Sequence, residues 1–389
     1  MKLGLLGGSF NPIHNGHIHM AQRAKSRFGL NEVLFMVAND PPHKTIAGNV
    51  GAQTRLAMAE AGLAGLEGLA ASGLELARTG KSYTVDTVCT LHEQMPGAEI
   101  YLIVGEDMLQ NLPSWWQVET LLQLVHVIAV TRPGVEGTLE EAAQPLRARF
   151  GARISFAPFD GDDISSTMVR QRVFAAEPIG DLVPPGVERM IYELGLYQPE
   201  MIAQMQEKLR SSLNKKRYEH SIGTLRCALS LAARWGVNKE QARLAALLHD
   251  CARLPNKELL ALSEKYGIAA DGFDLETPSL LHDRVGAALA RDAYGVEDTA
   301  VLDAICSHQL CRKDMTKLDK VIYLADKVEP TRDYPGVETL RALAWQDLDK
   351  AVLACMDSVY AHLAREGKPI NPRGKEAWLA FRAEMEKGK

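Results

Sequence analysis

Residues 7–17 read Gly-Gly-Ser-Phe-Asn-Pro-Ile-His-Asn-Gly-His, between a short apolar segment at residues 3–6 and an amphipathic segment at residues 18–28. This order predicts a β-strand, a glycine-rich turn and a helix. The glycines let the backbone approach a ligand closely, and a helix N-terminus offers unpaired N–H groups with partial positive charge. His14 and His17 lie at that N-terminus. The stretch therefore predicts a nucleotide-phosphate site that does without the lysine of a P-loop.

Strands alternate with helices over the first 198 residues. The predicted strands are residues 2–6, 32–37, 100–104, 126–131 and 154–157, and the predicted helices include 54–64, 84–95 and 119–124. This alternation is typical of a parallel, doubly wound sheet, whose ligands bind at the carboxyl ends of the strands near the switch in strand order. The Ala- and Gly-rich stretch 59–73 is predicted to be a helix end followed by a loop.

The second half of the chain is predicted to be all-α. Its apolar residues recur with a helical period in the segments 201–213, 220–235, 239–253, 281–294, 299–308, 318–328 and 348–365. We therefore expect a multidomain protein with an α/β Rossmann-like domain at residues 1–198 and an all-α domain at residues 199–389. The length of 389 residues agrees with two to three domains of roughly 150 residues each.

Composition argues against several classes of protein. Hydrophobic residues make up 46% and charged residues 24% of the chain, as in ordinary globular domains. The net charge of −5 without a basic block argues against nucleic-acid binding, and no apolar run reaches the roughly 20 residues that span a membrane. The six scattered cysteines form no Cys-x-x-Cys pair, which favours reduced thiols in the cytoplasm. The oligomeric state stays open.

Further phosphate-binding groups occur at other predicted strand ends and helix starts. Ser165 and Ser166 lie at a predicted helix start, and Arg170 follows one turn later. Lys44 ends a rigid Pro-Pro-His-Lys loop, and Arg132 follows a predicted strand. Each of these is also compatible with an ordinary helix cap or a surface charge. Several such groups at the ends of strands of one sheet favour a ligand site.

Residues 7–17 and 165–170 together resemble the bacterial nicotinate-mononucleotide adenylyltransferases. Supporting segments occur in the family's order over about the first 198 residues, at 41–44, 82–87, 105–107, 112–115, 132–134 and 195–197. The resemblance implies that AMP passes from ATP to nicotinate mononucleotide, releasing pyrophosphate, normally with Mg²⁺. Such chemistry needs positioning and charge stabilisation rather than a protein nucleophile.

The resemblance also implies roles for individual residues. His14 and His17 would hold ATP phosphates together with Arg170, and His17 would make the transition-state contact. The other implied ATP contacts are Gly7, Gly8, Ser9, Phe10, Asp107 (at a ribose hydroxyl), Arg132, Ser165 and Ser166. The implied contacts to nicotinate mononucleotide are Lys44, Thr84 and Trp115. For Trp115 and Trp116, the alternative to ligand binding is packing in the core. For the reaction, the alternative to nicotinate mononucleotide is another phosphate-bearing acceptor, such as a pantetheine phosphate.

Histidines and aspartates in the second half form a candidate metal site. The set is His220, His249, Asp250, His282, His308 and Asp326. His249 and Asp250 interrupt an apolar run at residues 242–248, where a charged pair is costly unless it is paired or metal-bound. Imidazole together with carboxylate suits Fe, Mn, Co or Zn. Neighbours on a helix project about 100° apart, so His249 and Asp250 could serve two metals or bridge them.

This set resembles the HD superfamily of metal-dependent phosphohydrolases. Within it, the match is closest to small bacterial proteins that hydrolyse diadenosine tetraphosphate symmetrically, through segments 217–221, 245–253, 281–287 and 322–333. The resemblance implies metal-assisted hydrolysis at one or two ions with Asp250 as a catalytic residue and two ADP as products. Candidate phosphate contacts are Arg253, Lys327 and Arg332, with solvated helix charges as the alternative.

One departure from the HD pattern affects the choice of substrate. Gln309, Leu310 and Cys311 stand where the family usually carries a Thr-Thr-Gly-like turn. The metal ligands are unaffected, but the substrate contacts are in question. A nucleotide sensor without turnover, and hydrolysis of guanosine tetraphosphate or of mononucleotides, are therefore the alternatives for this half.

Overall fold

The computed structural model describes residues 1–40, 46–131, 136–158, 161 and 163–387. The chain separates into two compact units. One comprises Met1–Gln171 with Ile179–Ile191, and the other comprises Arg172–Pro178 with Tyr192–Lys389. The domain boundary at residues 198 and 199 stays a prediction.

The first unit is built on a parallel sheet. Its strands are β1 (Lys2–Gly8), β2 (Glu32–Val37), β3 (Leu69–Ser72), β4 (Glu99–Gly105), β5 (Val125–Thr131) and β6 (Arg153–Pro158). Every neighbouring pair is parallel, and the strand order is β3-β2-β1-β4-β5-β6. The order reverses between β1 and β4. The predicted doubly wound, Rossmann-like sheet is confirmed.

Helices connect these strands and follow the last of them. They are α1 (Asn15–Phe28), α2 (Ala52–Leu63), α3 (Thr84–Gln94), α4 (Glu106–Asn111), α5 (Val118–Leu124), α6 (Glu136–Phe150), α7 (Ser166–Phe174) and α8 (Pro185–Glu193). Short 3₁₀ turns occupy Ala47–Asn49, Leu74–Ala77 and Leu112–Ser114. Each crossover between parallel strands is long enough to return the chain to the same edge of the sheet.

Strand β3 corrects the prediction of a loop within residues 59–73. Its sequence, Leu-Ala-Ala-Ser, lacks β-branched and aromatic residues and shows no clear alternation, so its strand propensity is low. It forms because it pairs with β2, with Val33 opposite Leu69 and Met36 opposite Ser72. Its position at the edge of the sheet leaves three of its four residues only half-buried.

Apolar residues of the central strands build the core of this unit. Leu5, Leu102 and Val127 are neighbours across β1, β4 and β5, and none is more than 1% exposed. Val88 of α3 and Leu121 of α5 join the same buried cluster. Central parallel strands are covered on both faces, which explains their continuous apolar runs. The register places the carboxyl ends of β1 and β4 side by side.

The second unit is helical. Its main helices are α9 (Glu200–Ser212), α10 (Lys215–Trp235), α11 (Lys239–Leu248), α12 (Asn256–Lys265), α13 (Gly272–Glu276), α14 (His282–Tyr294), α15 (Thr299–Ser307), α16 (Lys317–Val328), α17 (Val337–Gln346), α18 (Leu348–Arg365) and α19 (Pro372–Lys387). Helix α10 packs against α11 and α16, and α14 packs against α15. The predicted all-α domain is confirmed. Among the described residues, no helix is both long and apolar enough to cross a membrane.

Candidate functional site

A cavity of about 770 Å³ opens at the carboxyl ends of β1, β4 and β5. The predicted site residues among its lining are Gly7, Gly8, Ser9, Phe10, His14, His17, Asp107, Ser165, Ser166 and Arg170. The cavity lies where β1 neighbours β4, at the switch in strand order, which is where sheets of this kind bind ligands. The structure therefore brings these predicted residues together at one place.

Tight packing explains the glycines of the turn after β1. A Cβ added to Gly8 would lie 3.1 Å from the Phe10 ring, and one added to Gly16 would lie 3.1 Å from Nδ1 of His14. Phe10 has a left-handed backbone with φ of 44°, and its ring packs edge-on against His17 with centroids 5.1 Å apart. A Cβ on Gly7 would meet no atom within 4 Å. The turn thus leaves open space at Gly7 while it holds both histidines closely.

His14 and His17 stack at the start of α1. Their ring centroids are 3.6 Å apart, and the backbone N–H of His14 donates to Nδ1 of His17 at 3.3 Å. A neutral His17 ring therefore carries its proton on Nε2, which makes that atom a donor. His14 is 5% exposed, and burial lowers its pKa to about 4. His14 is consequently neutral at pH 7.

The neutral state of His14 makes the first unit less stable in mild acid. The unfolded chain takes up this proton near pH 6.5 and the folded chain only near pH 4, so stability is complete above 6.5 and falls as the pH drops towards 4. Between pH 7 and pH 5 we expect the free energy of opening of β1 and α1 to fall by about 2 kcal/mol on this account. Hydrogen exchange of these segments in the full chain, corrected for intrinsic rates, measures it. A His14→Gln variant with the same pH dependence would contradict the assignment.

Hydrogen bonds tie the start of α7 to the turn after β1. Ser166 Oγ donates to the carbonyl oxygen of Pro12 at 2.9 Å, and the Arg170 guanidinium donates to that of Asn11 at 2.7 Å. Ser165 Oγ accepts from the N–H of Met168 at 3.1 Å, as the residue that caps a helix start does. These bonds bring a second helix N-terminus and a guanidinium to the cavity that already holds the start of α1. The arrangement favours an anionic ligand.

Four predicted residues are not placed at this cavity. Lys44 and Arg132 lie outside the described residues. Within the part of the chain that the structure describes, the cavity lining includes neither Thr84 nor Trp115. Thr84 is the first residue of α3, and Trp115 is half-buried and packs against the core of the sheet.

An exposed aromatic pair lies beside the start of α3. Trp116 is 58% exposed, and its ring centroid is 5.8 Å from that of Tyr83, the residue before Thr84. Neither ring was assigned a role from the sequence. The sequence does not show which of two adjacent tryptophans is buried, because the path of the backbone decides which ring faces the core.

Arg55 is a buried residue at this site that sequence reasoning missed. It is 1% exposed, and its guanidinium donates to the carbonyl oxygens of Ser9 at 2.6 Å, Asn39 at 3.2 Å and Val50 at 3.2 Å. It therefore joins the turn after β1 to the loop after β2. The available signal was weak: a single cation on the helix face that also carries Met58.

An Arg55→Lys substitution should lower the free energy of unfolding by about 1–3 kcal/mol, because one ammonium group cannot reach three carbonyl oxygens and leaves buried acceptors unpaired. Urea unfolding of the full chain measures the change. Arg23→Lys is a matched control, since Arg23 is exposed and donates to the carbonyl oxygen of Pro158. Equal losses in the two variants would show that the buried guanidinium has no special role.

The second unit gathers all six predicted metal ligands in one buried cluster. They are His220 in α10, His249 and Asp250 after α11, His282 at the start of α14, His308 after α15 and Asp326 in the last turn of α16. None is more than 7% exposed. Within the cluster, two groups each have ligand atoms that lie within 4.8 Å of one another: His220 with His249 and Asp326, and His249 with Asp250 and His308.

Asp250 lies between the two halves of the cluster. Its Oδ1 is 3.4 Å from Nε2 of His282 and 3.5 Å from Nε2 of His308. Its Oδ2 is 3.8 Å from Nε2 of His249 and 4.0 Å from that of His220. Oδ2 is buried and has no hydrogen-bond partner among the described residues. The guanidinium of Arg217 lies 3.5 Å from Oδ2. A buried carboxylate that faces several imidazole nitrogens offers the kinds of ligand that divalent transition-metal ions bind.

The predicted helix at residues 239–253 is wrong at its end. Helix α11 stops at Leu248, so His249 and Asp250 lie in the following turn rather than on one helix. The expectation that their side chains project about 100° apart, as neighbours on one helix do, therefore does not apply. At this helix end the Nδ1–H of His249 donates to the carbonyl oxygen of Ala246 at 2.7 Å, which satisfies a carbonyl oxygen of the last turn.

Charges around the cluster favour ionised carboxylates, and burial favours a neutral His249. Burial disfavours the charged form of Asp250, but His249 and Arg253 outweigh it and hold the pKa of Asp250 well below its usual range. Burial is likewise outweighed at Asp326 by Lys327 and His220, which keep its pKa well below the usual range. Burial lowers the pKa of His249 to about 4. At His220, burial is outweighed by hydrogen bonds to Asp326 and Glu329, which raise its pKa. The ionised carboxylates and the neutral His249 are the forms that bind metal ions.

The three predicted phosphate contacts pair with carboxylates of the cluster. Arg253 Nε lies 2.8 Å from Asp250 Oδ1, and Arg332 lies 2.6 Å from Asp326 Oδ1. Lys327 pairs with the other oxygen of Asp326. Each of these cations keeps part of its side chain exposed, so together they surround the cluster with positive charge.

The departure at residues 309–311 includes a left-handed backbone at Cys311. Cys311 has φ of 64°, in the left-handed region where glycine is favoured, and its N–H donates to the carbonyl oxygen of Ser307 at 2.8 Å. A glycine at this place in a Thr-Thr-Gly-like turn would fit the same backbone without strain. The backbone at Cys311 is thus one that glycine adopts more easily.

Comparisons with known proteins divide the chain in the same way. A family model described as Cytidylyltransferase-like matches residues 5–172, and a model for the HD domain matches residues 217–331. A protein of Trichlorobacter lovleyi named "Probable nicotinate-nucleotide adenylyltransferase" is 39% identical over 213 residues, which cover 51% of this chain and 100% of that protein. A protein of Bacillus pumilus with the same name is 36% identical and is covered over 98% of its length.

A solved structure also matches part of the chain. It is the crystal structure of a protein from Clostridium acetobutylicum described as a "predicted HD superfamily hydrolase involved in NAD metabolism". It is 34% identical, covers 46% of this chain and 96% of its own length, and superposes with a TM-score of 0.46. Because the first half matches whole relatives from end to end, the chain belongs to the nicotinate-nucleotide adenylyltransferase family and carries an HD domain in its second half.

Proposed function

We propose that the first unit transfers AMP from ATP to nicotinate mononucleotide, giving nicotinate adenine dinucleotide and pyrophosphate. The observation that carries this proposal is the cavity at the carboxyl ends of β1 and β4, where two helix N-termini, His17 and Arg170 converge. Such a cavity suits a triphosphate, and the relatives that match this half are named for this reaction.

The proposed roles follow from position. His17 would donate from Nε2 to a phosphate oxygen, with neutral His14 stacked behind it and Arg170 adding charge from α7. Gly7, Gly8, Ser9, Phe10, Ser165 and Ser166 would shape the phosphate pocket, and Asp107 would bind a ribose hydroxyl. Mg²⁺, when bound, supplies charge neutralisation on the triphosphate. Roles for Lys44 and Arg132 stay predictions.

The acceptor would bind beside the start of α3. We infer that Trp116, rather than Trp115, stacks on the nicotinate ring, because Trp116 is exposed next to Tyr83 while Trp115 packs against the core. Thr84 begins α3, so backbone N–H groups there suit the carboxylate of nicotinate better than an amide. This is the physical basis for preferring the acid.

A substrate panel tests the proposal. Pyrophosphate release from ATP is measured with nicotinate mononucleotide, nicotinamide mononucleotide and a pantetheine phosphate as acceptors. We expect the highest kcat/KM with the first. A higher value with either of the other acceptors would replace the proposed substrate and retain the phosphate site.

We propose that the second unit hydrolyses diadenosine tetraphosphate, or a related nucleotide, at two transition-metal ions. The cluster of six ligands with Asp250 between its halves supports this proposal, as do Arg253, Lys327 and Arg332 around it. Fe, Mn, Co or Zn ions, when bound, supply activation of the attacking water and neutralise phosphate charge. The three cations would hold the phosphate chain, and Asp250 would keep both ions in place.

A nucleotide sensor without turnover is the second candidate for this unit, favoured by the departure at residues 309–311. The test is hydrolysis of diadenosine tetraphosphate by chelated protein reloaded with Fe²⁺, Mn²⁺ or Co²⁺. Two ADP per substrate supports the hydrolase. No turnover with any ion, while nucleotide binding is retained, supports the sensor.

We further propose that the two activities occupy separate domains, residues 1–198 and 199–389, of one cytoplasmic protein. All six cysteines are free thiols, and free thiols are typical of a reducing compartment. Separate sites predict that each activity can be removed without loss of the other.

A further inference from the structure

The histidines of the metal cluster are oriented through their Nδ1 atoms. In His249, His282 and His308, the Nδ1 proton is donated to the carbonyl oxygen three residues earlier, at 2.7, 2.6 and 2.7 Å. The accepting carbonyl oxygens lie in the last turn of α11, in the last turn of α15 and in the 3₁₀ turn Pro278–Leu281 before α14, and carbonyl oxygens at helix ends lack intrahelical partners. The backbone itself therefore directs their Nε2 atoms into the cluster.

His220 is oriented differently because it lies inside α10, where the preceding carbonyl oxygens accept helical hydrogen bonds. Its Nδ1 lies 3.1 Å from Oε1 of Glu329, a side chain with 0% exposure. An ionised carboxylate can only accept, so Glu329 fixes the proton on Nδ1. Its Nε2, the atom that would bind a metal ion, faces Asp326 and His249, at 2.9 and 3.3 Å, and the Arg332 guanidinium, at 3.2 Å.

Glu329 is itself held in place. Both the backbone N–H and the hydroxyl of Thr331 donate to its carboxylate. Glu329 directly follows α16, whose last turn carries Asp326. One short segment thus supplies a proposed metal ligand and the partner of another.

Gly223 marks the space that this contact requires. It lies three residues after His220 in α10, and a Cβ added there would be 2.3 Å from Oε2 and 3.0 Å from Cδ of Glu329. Glycine weakens a helix interior relative to alanine. Its presence is explained by the approach of the Glu329 carboxylate.

We propose that Glu329 is a positioning residue that sets the affinity of one metal position, the one formed by His220, His249 and Asp326. The position beside His282 and His308 should keep its affinity, because its imidazoles are oriented by backbone carbonyl oxygens. This inference rests on the proposed metal site of the second unit. Carboxylate partners of metal-bound histidines typically change metal affinity by about 10- to 100-fold.

Metal titration of the full-length, chelated protein tests the proposal. Co²⁺ binding is followed by visible absorption and Mn²⁺ binding by equilibrium dialysis, in Glu329→Gln and Gly223→Ala. Gly286→Ala is the matched control, since its Cβ would make only ordinary contacts, at 3.5 Å or more, next to the other metal position. We expect two ions in the wild type and the control. In both test variants, one ion should bind about 10- to 100-fold more weakly than in the wild type. The affinity for the other ion should not change.

A second readout follows the His220 ring directly. In long-range ¹H–¹⁵N spectra at one fixed Zn²⁺ concentration, His220 should show Nδ1–H and a metal-bound Nε2 in the wild type, and this form should be less populated in Glu329→Gln. If both variants bind both ions like the wild type, the proposal is overturned. If Glu329→Gln fails to fold, Gly223→Ala decides between these results. A wild type that binds no ion would instead remove the metal site on which the proposal rests.

Discussion

Hydrolysis of diadenosine tetraphosphate is expected to fall by about 10³-fold or more when Asp250 is replaced by asparagine. The two oxygens of Asp250 lie 3.4–4.0 Å from the Nε2 atoms of four histidines. An amide is neutral and turns an N–H group towards one half of the cluster, so it cannot serve two cations. Loss of several kcal/mol of transition-state stabilisation corresponds to this factor. ADP release with Mn²⁺ or Co²⁺ measures it.

Asp283→Asn provides the matched control for this experiment. Asp283 is 2% exposed and follows His282 in the chain, but it lies outside both groups of possible ligands. Burial raises its pKa to about 6, so an amide there replaces a carboxyl group that is easily protonated. We expect less than about a tenfold loss in this control. If Asp250→Asn hydrolysed diadenosine tetraphosphate at the wild-type rate, the cluster would not be the site of the reaction.

Pyrophosphate release from ATP and nicotinate mononucleotide is expected to fall by about 10²–10³-fold in His17→Ala. The backbone N–H of His14 donates to Nδ1 of His17, which leaves Nε2–H as a donor at the cavity. Removing one preorganised donor to a developing charge typically costs a factor of this size in kcat. Because the contact strengthens in the transition state, kcat should fall more than the affinity for ATP.

His19→Ala is the control on the same helix, since His19 is exposed. Its kcat should stay within about twofold of the wild type, as for most exposed substitutions. Thermal unfolding of both variants checks that α1 remains folded. A His17→Ala enzyme with wild-type kcat would contradict the proposed phosphate contact.

The features predicted correctly from the sequence depend on local order. Residues 7–17 place a strand, a turn and a helix in immediate succession, and the apolar period changes from strand-like to helical after residue 198. The six candidate metal ligands are each recognisable because a charged or polar residue interrupts an apolar helical segment. Such signals need no knowledge of distant partners.

The features that were missed depend on partners far away in the chain. Strand β3 forms through pairing with β2, and its own sequence has little strand propensity. Arg55 binds carbonyl oxygens in two separate connections, the one after β1 and the one between β2 and α2. Glu329 approaches His220 from 109 residues away. Trp116 is exposed while Trp115 packs against the core, and the local path of the backbone decides which of the two is exposed. The role of Trp115 at the nicotinate ring stays a prediction. Only three-dimensional packing decides these roles.

The most direct test of the central claim, that one chain carries two separate active sites, measures both reactions on the same preparations. Wild type, His17→Ala and Asp250→Asn are each assayed for pyrophosphate release and for metal-dependent release of ADP. The wild type should perform both reactions, and each variant should lose one while keeping the other within about twofold. A substitution that abolishes both reactions, or a wild type that performs only one with every metal tried, would contradict the account.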